Sequence, residues 1–109
     1  MKRNIIHDGV SIKIFETDDP QKVIIHFTDE ITAFNKIKKA VIKDKGIYCN
    51  GISCEISRLL QKGGVPTHFI EQISDTEQLC WKSQVIPMEV IVRNVIAGSM
   101  AQRLGLEEG

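Results

Sequence analysis

Only one long stretch of this chain, Cys49 to Lys62, repeats its apolar residues at helical spacing, while the other regular segments alternate with the period of a strand. Ile52, Ile56, Leu59 and Leu60 stand at i, i+4, i+7 and i+8, which predicts one apolar stripe and a helix packed by that stripe on a sheet. Asn50 is the expected N-cap. Gly63-Gly64 followed by Val65-Pro66 gives a left-handed stop and then a residue that cannot continue the helix. Strands are expected over Asn4 to His7, Val10 to Thr17 and Lys22 to Thr28, with Asp18-Asp19-Pro20 as the turn between the last two. Asp29 to Asn35 reads as a loop. Lys36 to Lys45 reads as a short strand centred on Ala40-Val41-Ile42, and Thr67 to Ile73 and Glu77 to Lys82 as a strand pair around Ser74-Asp75-Thr76. Strands outnumber helices and no regular helical crossovers separate them. The fold class is therefore α+β, a mostly antiparallel sheet with one main helix, in a single domain spanning residues 1–109.

Composition narrows the function classes. With 42% hydrophobic residues the chain can bury one core, and 14 basic residues balance 14 acidic ones, which argues against a general nucleic-acid binder but leaves room for a local anion site. The lysines between Lys36 and Lys45 have no aromatic platform beside them, so RNA binding has little support. No apolar run approaches the ~18 residues that a membrane span needs. Cys49, Cys54 and Cys80 are odd in number and lack CxxC spacing, and His7, His26 and His68 form no HxxxH pair. Neither a disulfide framework nor a metal site is expected, and the chain reads as cytoplasmic.

The run VIPMEVIVRNVIAGS, from Val85 to Ser99, carries the candidate chemistry. Read as a strand, it places Glu89 and Arg93 on one face, with Cα atoms about 13 Å apart at ~3.3 Å per residue. Arg93 offers a planar fork of donors suited to phosphate or carboxylate, and Glu89 offers an acceptor suited to hydroxyls or an amine. Ala97-Gly98-Ser99 lets backbone approach an anion, and Met100 to Leu104 is expected as a short helix. Two readings are open from spacing alone: charges on a solvated edge strand, or two grips on one extended ligand. Asp8-Gly9-Val10 is open in the same way, as a hairpin turn needing positive φ or as a lid over nucleotide phosphates.

Taken together, Thr32-Ala33-Phe34-Asn35, Lys45-Gly46 leading into Asn50, GVPTHFIE at 64–71, SDTEQL at 74–79 and IPMEVIVRNVIAGSMAQRLGLEEG at 86–109 resemble the SAICAR synthetases, the phosphoribosylaminoimidazole-succinocarboxamide synthases of purine biosynthesis. The resemblance covers essentially the whole chain but only about the first half of the family's usual sequence. It implies a fold like the small lobe of a protein kinase and a ligase that joins L-aspartate to carboxyaminoimidazole ribonucleotide, CAIR, with ATP and Mg2+. On this resemblance Gly9, Ser11, Trp81, Lys82, Val85 and Glu89 face ATP; Glu89, Arg93 and Ser99 hold CAIR, with Arg93 and Ser99 on its phosphate. Catalytic residues and magnesium ligands fall in the family's later part. The domain that covers the nucleotide would then expose a partly apolar face, so self-association or docking of the later half is expected.

The chain departs from the family where two lysines normally face ATP: the stretch reads Gly9-Val10-Ser11-Ile12, with Lys13 on the opposite strand face. Losing both cations lowers the electrostatic stabilisation of a transferred phosphoryl group. Gly51 also replaces a usual lysine or arginine, at about 1 kcal/mol of helix propensity. These departures keep an alternative in view, a non-catalytic ribonucleotide-binding or interaction domain of the same fold.

Overall fold

The structure, a computed structural model, describes residues 2–33, 38–88, 90–107 and 109. Glu89 lies outside the described residues, as do Phe34 and Asn35. Along the chain run β1 (Ile5–Asp8), β2 (Ile12–Glu16), β3 (Lys22–Phe27), β4 (Glu30–Ala33), β5 (Lys38–Val41), α1 (Lys45–Lys62), β6 (Phe69–Gln72), β7 (Glu77–Trp81) and α2 (Gly98–Leu104). Five strands form one antiparallel sheet in the order β1-β2-β3-β7-β6, and β4 and β5 form a separate antiparallel pair. The α+β class and the antiparallel sheet follow the sequence reading.

Local chemistry explains the sheet's turns. Thr17, buried at the β2–β3 connection, donates its hydroxyl to the Asp19 and Lys22 carbonyls, and the Asp19 carboxylate accepts from the Gln21 N–H at 2.9 Å. In the β1–β2 turn the Gly9 N–H donates to the Ile12 carbonyl at 3.0 Å. Gly9 does not take the positive φ expected of it. It is required sterically instead, because a Cβ there would lie 2.8 Å from both His7 Nε2 and the Ile12 carbonyl oxygen.

Helix α1 begins at Lys45, one turn before the expected start, and this moves Asn50 from the cap to the interior. Asp29 does the capping from outside the helix: its carboxylate accepts from the Gly46 N–H at 2.8 Å and from the Asp44 N–H at 3.2 Å. Residues 30–33, expected in a loop, instead form β4 and pair with β5. The helix ends as expected. Gly64 takes φ +86°, and the Gly64 and Val65 N–H groups return to the Gln61 and Leu60 carbonyls.

The face of α1 turned to the sheet is not the predicted one. Gly46, Asn50 and Cys54, one turn apart, are buried, while Ile52, Ile56 and Leu59 are 60%, 52% and 67% exposed. Close approach decides the rotation. A Cβ on Gly46 would stand 2.4 Å from the Phe27 carbonyl oxygen, so only glycine lets the helix sit this near β3. Asn50 Nδ2 then donates to the carbonyls of Ser74 and Asp75, both at 3.0 Å, and Gln78 Nε2 donates to Ser53 Oγ at 3.2 Å. Buried amides left without these partners would carry a desolvation penalty, so these bonds hold the helix in this rotation once Gly46 has let it approach. Val23, Ile24, Phe69 and Cys80 complete this core.

The strand expected in the run from Val85 to Ser99 is not formed by its described residues. The described residues between β7 and α2 carry no ladder, and Val85, Met88, Val90 and Val92 are exposed. A strand needs a neighbour for its N–H and C=O groups, and this segment lies on neither edge of the sheet. Period-2 alternation was present without a partner to pair with.

Candidate functional site

The sequence-predicted residues fall into three groups. Trp81, Lys82 and Val85 line an apolar groove of about 350 Å³ together with Ile6, His7, Ile14, Val23, Ile25 and His68. Strand register explains its floor: Val23 lies opposite Cys80 and Ile25 opposite Gln78, so the groove uses the sheet face that also receives α1. A mostly apolar lining with a few polar side chains suits a planar heterocycle. The Lys82 N–H is committed to the Gln21 carbonyl and the Trp81 N–H to the His68 carbonyl, both at 2.7 Å. Those bonds fix the chain's exit from β7 along the groove.

Gly9 and Ser11 do not line this groove. They adjoin it through His7, whose imidazole lies against Gly9. Ser11 Oγ donates to the Glu30 carbonyl at 3.3 Å, tying the turn to β4. Val10 borders a separate depression of about 340 Å³ with Glu30 and Lys39. Lys13 supplies no cation to the turn's other face, because its Nζ is paired with the Asp8 carboxylate at 2.6 Å. That hydrogen bond raises the Lys13 pKa above its ordinary value, against a smaller opposing effect of desolvation.

Arg93 and Ser99 come together around an open cavity of about 770 Å³, whose lining also includes Asn94, Met100 and Arg103. One Arg93 Nη1 hydrogen donates to the Ala97 carbonyl, and the guanidinium lies against Gly98, where a Cβ would stand 3.0 Å from Nη1. Gly98 takes φ +58°, so glycine serves both the conformation and the close approach. Arg93 and Ser99 thus meet through a loop and a helix rather than a strand face, and the placement of Glu89 relative to them lies outside the described residues. Arg103 was missed by sequence reasoning. Its signal was present, since Ser99 and Arg103 stand at i and i+4 within α2.

The cysteines are free thiols. Burial pushes the Cys80 thiol up to about 12, with Cys54 beside it adding to the effect, so Cys80 is a core side chain and not a nucleophile. Among the described residues no group of three or more His, Cys, Asp or Glu side chains is placed to hold a metal ion.

Comparison with known proteins bears on these groups directly. The sequence model of SAICAR synthetase matches residues 5–109. The phosphoribosylaminoimidazole-succinocarboxamide synthase of Clostridium kluyveri is 56% identical over 108 residues, covering 99% of this chain and 46% of its relative. A crystal structure of the enzyme so named from Ehrlichia chaffeensis superposes with a TM-score of 0.88 at 43% identity, over 97% of this chain and 45% of that one. A SAICAR synthetase in complex with ADP matches with the same TM-score at 39% identity, over 97% of this chain and 45% of its own. The chain spans less than half the length of the curated relatives it matches. Matching almost from end to end in sequence and in fold, it belongs to the SAICAR synthetase family.

Proposed function

We propose that this chain is the N-terminal, nucleotide-covering part of a cytoplasmic ATP-dependent ligase of purine biosynthesis that joins L-aspartate to CAIR, giving SAICAR, ADP and phosphate. The observation that carries the reading is the cavity around Arg93 and Ser99, which sets an anion fork and a hydroxyl against one space on a chain of this family. The apolar groove at Trp81, Lys82 and Val85 takes the adenine of ATP, and the fold match to a relative solved with ADP supports that assignment. Gly9 and Ser11 lie toward the phosphates and shape the turn there, with the Gly9 N–H bound to the Ile12 carbonyl and the Ser11 hydroxyl to the Glu30 carbonyl. Glu89 accepts from the hydroxyls of a ribose.

When bound, ATP supplies a phosphoryl group that activates the carboxylate of CAIR toward the amine of aspartate. The residues of this chain contribute positioning: Arg93 and Ser99 hold the phosphate end of CAIR, and the groove orients the adenine. On the resemblance to the family, the magnesium ligands come from its later half. The test is steady-state kinetics on the full-length enzyme carrying Arg93→Ala. The CAIR Michaelis constant should rise about 100-fold, consistent with loss of a charge-assisted bidentate contact, with the melting temperature unchanged. An unchanged constant removes the assignment.

One observation favours a second reading, a non-catalytic ribonucleotide-binding domain. Val10 and Ile12 stand where the family's lysines face ATP, and Lys13 is held by Asp8. The double change Val10→Lys and Ile12→Lys separates the two. A large gain in ATP affinity with no turnover beforehand favours the binding domain, whereas measurable turnover in the unaltered protein favours the ligase.

A further inference from the structure

We infer that Arg103 is a second anion-binding residue of the cavity holding Arg93 and Ser99, and that the two guanidinium groups together read a phosphate monoester dianion. This rests on the reading that the cavity takes the phosphate end of a ribonucleotide. Ser99 and Arg103 stand one turn apart on a single face of α2, about 5–6 Å between Cβ atoms, and both line the cavity. Arg93 lines it from the preceding loop, its guanidinium fixed by the Ala97 carbonyl. The helix that carries Arg103 is itself anchored: Ala101 is buried, and the Leu106 N–H closes the end on the Ala101 carbonyl at 3.0 Å with Gly105 at φ +66°.

Charge completes the argument. No carboxylate is among the described residues lining the cavity, and the Arg103 side chain has neither an ion pair nor a hydrogen bond among the described residues. Two guanidinium-bearing residues lining one cavity with no carboxylate among its described lining make it a positive site, which an anion carrying two negative charges neutralises. A single arginine meets the needs of a monoanion or a carboxylate. Two arginines with the Ser99 hydroxyl match the three terminal oxygens and double charge of a phosphate monoester. The cavity therefore discriminates a ribonucleotide from its dephosphorylated nucleoside.

The experiment is kinetic, on the full-length enzyme, with Arg103→Gln, Arg103→Lys and Arg93→Ala measured side by side. Arg103→Gln removes the charge and keeps helix propensity on an exposed site. It should raise the Michaelis constant for the ribonucleotide about 10- to 100-fold, leave that for ATP within about 2-fold, and weaken competitive inhibition by inorganic phosphate in parallel. Arg103→Lys should recover part of the loss, because it keeps the charge and not the fork. If Arg93→Ala raises the constant and Arg103→Gln leaves it within about 2-fold, Arg103 is outside the site and the inference fails while the proposed function stands. If neither changes it, the cavity is not the phosphate site and both fail. An equal loss for the dephosphorylated nucleoside also overturns the inference, since Arg103 would not then be reading phosphate.

Discussion

The sheet with α1 and the arm from Lys82 to Gly109 use similar residues to opposite ends. In the first region apolar strands pair, and three residues one turn apart on α1, Gly46, Asn50 and Cys54, lock the helix against them. In the second, residues just as apolar and β-branched find no partner: Val85 is 83% exposed and Val92 91% exposed. Side-chain chemistry does not separate the regions. What separates them is whether a neighbouring strand or helix exists to satisfy the backbone and cover the side chains. The arm sets exposed apolar residues beside a cavity lined by two arginines, and the relatives it matches are about twice this length.

Mutations sharpen the contrast. In the packed region Gly46→Ala should have the largest effect, since its Cβ would meet the Phe27 carbonyl at 2.4 Å and neither backbone can move freely; a loss of about 3 kcal/mol or more in denaturant unfolding is expected. Asn50→Ala leaves the Ser74 and Asp75 carbonyls without their donor and should cost about 2 kcal/mol, read as a lower midpoint at unchanged slope. Gly51→Ala works the other way. No atom lies within 4 Å of a Cβ placed there, so the change should stabilise the chain by about 1 kcal/mol. In the arm, Val92→Ser should alter the unfolding free energy of the 109-residue chain by less than about 0.5 kcal/mol, because nothing is packed on it. A loss of 2 kcal/mol at Val92 would break the distinction between the two regions.

The same contrast explains what the sequence could tell. The alternation within the strands, the Asp19 turn and the glycine stop after Lys62 are readable because each is written in residues a few positions apart. The rotation of α1 is not, because it is set by Phe27, Ser74 and Asp75, whose approach no helical period records. The apolar stripe of Ile52, Ile56, Leu59 and Leu60 lies on the exposed face of the helix. The strand expected in the run from Val85 to Ser99 is not formed by its described residues, for the reason that marks the whole arm: alternation says which faces a strand would have, not whether a partner is there. At the site, Arg93 and Ser99 were legible as residue types beside a small-residue turn, and the structure brings them together by a route other than the one expected. Arg103 carried only a four-residue spacing from Ser99, too ordinary to stand out before the cavity was seen.

Amide hydrogen exchange, compared between the 109-residue chain and the full-length enzyme, tests the central contrast most directly. The account predicts slow exchange in β2, β3, β7 and α1 in both, with amides of residues 90–97 exchanging freely in the shorter chain and becoming protected in the longer one. Equal protection of residues 90–97 in both proteins would contradict it, since the arm would then be complete within this chain.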